Sequence, residues 1–350
     1  MDNIDLNIYL SRILSGTYIF IHNDKTYKLK YPDMHIKYLA ELQAEAEYHK
    51  NKYNDWIQNE DILNLLISIG IWTYRMETEL QELSKTIEDY KVNLFQNSLN
   101  PNVSKNIRKN LRTAKKRLDF LYNTRHCYDH ITATGYANLV KTHYILSHSF
   151  YDENDQKIFP DQKSIDFVLF NNLCLKVTEN TIPGDIFRKI ARSDIWRNYW
   201  VANKDFIFGK PTIDWTDEQK TLVALTKMYD NAYEHPECPS DNIIADDDMF
   251  DGWMISIRRE SERDKAKRNN EKKFGDKLNK AGEIFLVANS KEEANNIYEM
   301  NNPISRNIIK QREETIAKNS DMIKESDLPD VQRNLQMQQA QMTKEKVRKR

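Results

Sequence analysis

Two apolar stripes of seven-residue periodicity, separated by a short break, constrain this chain more than any other feature. Met76, Leu80, Leu83, Ile87, Tyr90 and Leu94 follow one another at spacings of four, three, four, three and four. After Asn97–Ser104, which holds Asn100 and Pro101, the residues Ile107, Leu111, Ala114, Leu118 and Leu121 repeat four, three, four, three. Such spacing keeps side chains on one face of an α-helix. Two of these faces joined by a short loop close on each other as an antiparallel heptad hairpin. Outside its stripe the first helix carries Glu77, Glu79, Glu82, Glu88 and Asp89. The second carries Lys105, Arg108, Lys109, Arg112, Lys115, Lys116 and Arg117. Opposite charge supports their pairing. We read the basic face as satisfied in this way rather than as a nucleic-acid surface, which places aromatic side chains between its cations.

The rest of the chain agrees with a mainly α fold. Only 8 Gly and 9 Pro occur in 350 residues, too few for a turn-rich sandwich or barrel. One small β element is expected at the N-terminus. Thr17–Ile21 and Thr26–Tyr31 are β-branched and aromatic runs separated by His22-Asn23-Asp24-Lys25, and Pro32 ends the second. In that second run Tyr27, Leu29 and Tyr31 alternate with Lys28 and Lys30, which predicts one packed and one wet face. A long helical stretch follows the hairpin. Further helices are predicted over 129–149, 163–178, 183–193 and 217–234, the last with a capping box formed by Thr216 and Gln219. Asp194–Trp200 has aromatic residues at helical spacing and is expected to plug the core.

Charge and aromatic content divide near Trp253. Residues 254–350 hold 22 Lys and Arg against 16 Asp and Glu, and residues 1–253 hold 30 against 37. Of 37 aromatic residues, only Phe274, Phe285 and Tyr298 lie beyond Trp253. Large aromatic side chains supply most core area per residue. The expected organisation is therefore an N-terminal hairpin region (1–32), a helical body (33–253) and a charged, extended helical C-terminal region (254–350). In the last region a helix is predicted from about 254 to 280, following Gly252 and Trp253. A short strand at Ile284–Val287, a helix from Ser290 to Met300, another starting at Asn302-Pro303, and a loose tail over Gln336–Arg350 complete it.

Cys127, Cys174 and Cys238 are too few and too scattered for a disulfide framework, which fits a reducing compartment. The N-terminus lacks a signal-peptide pattern. The longest apolar stretch, Ile62–Trp72, is too short to span a bilayer. The chain is expected to be intracellular at synthesis, with no membrane partner.

No motif for catalysis or for a cofactor emerges. His126, Cys127 and His130 have a spacing compatible with two zinc ligands, but no second pair completes a site, so they are read as residues of a helix junction. Cys238, held between Pro236 and Pro239, has no neighbouring cation or helix N-terminus to activate it. Asp246-Asp247-Asp248 lacks the alternation and glycine of a calcium loop and any phosphate-binding partner. GxxxxGK[ST], GxGxxG and GxSxG patterns do not occur. No catalytic, cofactor-binding or metal residues are assigned, and a non-enzymatic role is expected.

The segment Asp241–Asp251 combines five aspartates with Ile243, Ile244, Met249 and Phe250 and contains no basic residue. One reading makes it a capped connection whose apolar residues pack on the body while the aspartates sit at a helix N-terminus. The other makes it a protein-docking patch formed by Ile243, Ile244, Asp246, Asp247, Asp248, Met249, Phe250 and Trp253. Phe250 and Trp253 would then be the anchors and the aspartates would steer a basic partner.

The stretch Tyr229–Arg259, followed by Ile284–Ala294 and Asp327–Arg333, resembles proteins encoded among the virion and tail-assembly genes of tailed bacteriophages, some described as tail assembly chaperones. The likeness extends upstream through the hairpin, the heptad pair and Trp196–Lys210. It implies a phage protein made in the host cytoplasm that binds other phage structural or assembly proteins, such as the coiled-coil tape measure. It carries no catalytic residues. A minor structural protein retained in the virion is the alternative of the same class. A nucleic-acid-binding protein using Arg108–Arg117 and the C-terminal basic region is the alternative of another.

Overall fold

The computed structural model describes residues 3–52, 56–160, 165–204 and 206–281, together with 294, 298, 306, 309, 310 and 337. The fold is mainly α. Twelve α-helices and one three-stranded antiparallel sheet are present among the described residues. The chain divides into two compact units, Met1–Trp253 and Met254–Arg350.

The first unit opens with helix α1 (Asn3–Ser15), followed by strands β1 (Thr17–His22) and β2 (Lys25–Lys30). Asn23 and Asp24 have φ of 48° and 60°, the conformation of a two-residue hairpin turn that these residue types tolerate. The loop is therefore two residues, shorter than the four expected, because His22 and Lys25 pair as the last rung of the ladder. Tyr27 and Leu29 are buried while Lys28 and Lys30 form ion pairs with Asp155 at 2.8 and 2.9 Å. A third strand, β3 (Phe150–Tyr151), pairs with β2 through Leu29 and Phe150. Strand order β1-β2-β3 makes β1 an edge. Phe20, Tyr27, Leu29 and Phe150 share one core with Phe159, Phe170 and Leu173, so the hairpin is packed into the body.

The heptad prediction is met. Helices α2 (Met34–Lys52), α3 (Asn59–Ser68), α4 (Tyr74–Gln96) and α5 (Pro101–Arg125) follow the sheet. Asn100 caps α5 by accepting from the Val103 amide, and Pro101 stands in its first turn. Ile87, Leu111 and Ala114 are buried between α4 and α5, with Leu83, Tyr90 and Leu118 packed against them. Farther along, Leu121 joins Ile62, Leu66 and Trp72. The Trp72 indole donates to Glu77 at 2.9 Å.

Helix α6 (Ala133–Ser147) packs on α2, and α7 (Phe167–Glu179) lies against the sheet core. Helices α8 (Gly184–Arg192), α9 (Asp194–Asn203) and α10 (Asp217–Tyr233) form a second group with α1. The predicted capping box is present, with Gln219 accepting from the Thr216 amide and Thr216 Oγ1 accepting from the Gln219 amide. Trp196 and Trp200 are buried, as expected of the aromatic plug. Their indoles donate to Thr226 and Asp230, each at 2.7 Å.

A short helix α11 (Asp241–Ala245) leads to α12 (Asp247–Ala281). This helix begins about seven residues before the predicted start, and Gly252 and Trp253 lie inside it. The predicted elements after residue 281 fall outside the described residues, apart from isolated positions.

Candidate functional site

The acidic segment is built around Asp246. Its backbone is extended between α11 and α12, its carbonyl accepts the Phe250 amide at 2.8 Å, and its Oδ1 accepts the Met249 amide at 3.0 Å. Asp246 is thus the N-cap of α12, with Asp247 and Asp248 in the first turn, where the helix dipole favours negative charge. This local chemistry sets the helix start.

The apolar residues of the segment face the body. Ile244 is 1% exposed, Phe250 0% and Trp253 6%, while Ile243 and Met249 are half-buried. The Phe250 ring stacks on Tyr229 at 4.9 Å and on Trp253 at 5.7 Å, and His235 meets Trp253 edge-on. The docking-patch reading required Phe250 and Trp253 to be presented to a partner. They are core residues here, because the cap at Asp246 turns the first face of α12 onto α10.

The carboxylates are engaged too. Asp246 pairs with Arg108 of α5 at 2.8 Å, Asp248 with Lys115 of α5 at 2.6 Å, and Asp247 with Arg192 of α8 at 2.6 Å. Asp251 lies between Lys91 of α4 at 2.7 Å and Arg188 of α8 at 2.8 Å. Arg192 also donates to the Tyr229 hydroxyl and the Ile244 carbonyl. Burial pushes the Tyr229 phenol up, against the opposing pull of Arg192 and Arg188, so the ring stays neutral as a core residue. The segment therefore fastens α4, α5, α8 and α10 at one point.

These pairs revise the account of α5. Its partners on α4 include Glu79, which receives two bonds from Arg117 at 2.8 Å, and Glu77, which meets Arg125 at 3.3 Å. Arg108 and Lys115 turn to the acidic segment instead. Lys105, Lys109, Arg112 and Lys116 are exposed, with no ion pair to a described residue.

His126 Nδ1 lies 2.7 Å from Asp129 and its ring meets Tyr122 at a tilt of 44°, at the predicted helix junction. Among the described residues no group of three or more His, Cys, Asp and Glu is placed to hold a metal, and no helix is long and apolar enough to cross a membrane. Cys127 and Cys238 are exposed and Cys174 is half-buried, all three as free thiols.

The surface that composition did not single out lies at the edge strand. Tyr18 and Phe20 pack inward, while Ile19 is 58% and Ile21 70% exposed. Since His22 and Lys25 close the turn as a bonded pair, alternation directs the backbone N–H and C=O of Ile19 and Ile21 away from β2. Along the start of the strand a groove of ≈ 370 Å³ is lined by Ile8, Tyr9, Tyr18 and Ile19 together with the polar Ser11, Arg12, Ser15, Thr17 and Asn180, with Ile8 63% exposed. The signal was present in the run Thr17–Ile21, which is apolar on both of its faces. Comparison with protein-family models, with curated proteins and with solved structures found no match.

Proposed function

We propose that this chain is a non-enzymatic, chaperone-like protein-binding factor of bacteriophage tail or virion assembly, made in the host cytoplasm. The phage setting rests on the resemblance carried by Tyr229–Arg259 and the stretches around it. The observation that carries the protein-binding reading is the edge strand β1, with Ile19 and Ile21 exposed and a groove of mixed polar and apolar lining along its start. Proteins ordinarily blunt such an edge with charge, proline or a covering element. An apolar edge with no strand paired to it among the described residues is suited to accept an extended segment, with backbone bonds supplying affinity and side-chain pockets supplying selectivity. A client with long apolar repeats, such as a tape measure, offers such segments before it assembles.

Co-expression with the tape-measure protein of the same genome tests the reading. The client is expected in the soluble fraction together with this chain, and Ile19→Lys/Ile21→Lys is expected to return it to the pellet while leaving the chain folded. A client that stays insoluble with the unaltered chain, or that the double variant still rescues, contradicts it. Mass spectrometry of purified particles separates the runner-up: an assembly factor is missing from mature virions, and a minor structural protein is present.

A further inference from the structure

We propose that the outer face of α5, formed by Lys105, Lys109, Arg112 and Lys116, binds the phosphodiester backbone of nucleic acid without reading its sequence. Eight basic residues lie on α5 against one acidic residue, Asp119, in a chain whose net charge is −1. Four of the eight are taken up internally: Arg108 and Lys115 by the aspartates of the acidic segment, Arg117 and Arg125 by glutamates of α4. The other four follow at spacings of four, three and four. On a helix of 3.6 residues per turn they form one straight row, opposite the buried seam of Leu111, Ala114 and Leu121. All four are exposed, and none has a side-chain bond or ion pair with a described residue.

The row has the dimensions of a backbone contact. Eleven residues at 1.5 Å each span about 16 Å, the axial length of about five phosphates on one strand of a duplex. Exposed Asn102 and Asn106 flank it and can donate to phosphate oxygens, a common use of amides at such surfaces. An acidic protein is the competing partner. Protein interfaces, however, rest on desolvated apolar or aromatic anchors and are depleted in lysine at their centres. No apolar side chain interrupts this row between Lys105 and Lys116, and the exposed Phe120 lies one turn beyond its end. A duplex backbone needs no such anchor, because its affinity comes from releasing counterions; the interleaved aromatics that the sequence lacks serve to stack the bases of single strands, which this face does not read. This inference stands apart from the protein-binding reading, since it uses a different surface and a different ligand.

The test is fluorescence anisotropy of the full-length chain with a duplex of about 30 base pairs, titrated at several salt concentrations. Four phosphate contacts predict that log K falls against log salt with a slope of roughly −3 to −4. Lys105→Gln/Lys109→Gln/Arg112→Gln/Lys116→Gln is expected to lose at least about tenfold in affinity at low salt and most of that slope, with an unchanged melting temperature. Lys109→Gln/Arg112→Gln is expected to give an intermediate slope, and serves if the fourfold variant folds poorly. Absence of duplex binding by the unaltered chain overturns the proposal. Retention of wild-type affinity and slope by the variants also overturns it. Binding of poly-glutamate as tightly as the duplex assigns the face to an acidic protein and overturns it as well.

Discussion

Gly252 of α12 lies directly against the backbone of Lys91 in α4: a Cβ at Gly252 would stand 2.1 Å from the Lys91 carbonyl oxygen and 3.0 Å from Cβ of Phe95. At the same crossing Lys91 Nζ donates to Asp251 at 2.7 Å. Glycine inside a helix costs about 1 kcal/mol relative to alanine, and here the cost is offset by the close approach it permits. Gly252→Ala is therefore expected to destabilise the protein by roughly 1–3 kcal/mol, despite its better helix propensity. A urea midpoint that rises in this variant contradicts the packing.

The heptad seam supplies a second prediction. Leu111 is 1% exposed between α4 and α5, and Leu111→Ala is expected to cost about 2–5 kcal/mol. Lys109→Ala, two residues away on the outer face, is expected to change stability by less than about 0.5 kcal/mol. Similar effects for the two variants in denaturant unfolding exclude the assigned faces.

Features with a local cause were legible before the structure. The a/d stripes, the Asn100-Pro101 helix start and the Thr216/Gln219 capping box each depend on residues within one or two turns, so pattern alone located them. Long-range pairing was not legible. Strand β3 is only Phe150–Tyr151, and it exists because Leu29, more than a hundred residues earlier, offers it a partner. Nothing local to Arg108 or Lys115 tells that their partners are Asp246 and Asp248 rather than glutamates of α4. Gly252, which the sequence pattern places ahead of a helix starting near residue 254, lies inside α12. The tertiary contact with Lys91 that requires glycine could not be seen in sequence. The composition of the acidic segment admits two readings, and only burial separates them: Phe250 and Trp253 are buried beneath α12, whereas Ile19 and Ile21 of β1 are exposed.

The cysteines should differ in reactivity. Burial pushes the Cys174 thiol up to about 11, so almost no thiolate is present at pH 8, and thiolate is the reactive form. Cys127 and Cys238 are exposed. Thiol titration of the native protein is expected to show two fast groups, with the third appearing only on unfolding. Three equally fast groups contradict the placement of Cys174.

Asp230 gives a pH prediction. Burial raises its carboxyl, but bonds from the Trp200 indole and Arg197, with the Arg197 charge, outweigh this and hold it below its ordinary 3.8. A carboxylate depressed in the folded state contributes stability that is present above its unfolded value and lost as pH falls through the lower folded one. Asp230→Asn is therefore expected to be less stable than the unaltered chain near neutral pH, with the gap narrowing below about pH 4. A gap that is constant from neutral pH into the acid range rules out the ionic role.

The central claim is that Asp246–Asp251 fastens the first unit internally and is not held free for a partner. The direct measurement is the melting temperature of Asp246→Asn/Asp247→Asn/Asp248→Asn. Asparagine keeps the cap at position 246 but leaves Arg108, Lys115 and the largely buried Arg192 without their counter-charges. Hydrogen bonds to charged groups contribute about 1.5–3 kcal/mol each where shielded from water, and 1 kcal/mol corresponds to about 2–4 °C in a body of this size. A fall of at least about 5 °C is expected, and it shrinks when Arg192 is already replaced by Met. A triple variant that melts with the unaltered chain would contradict the claim.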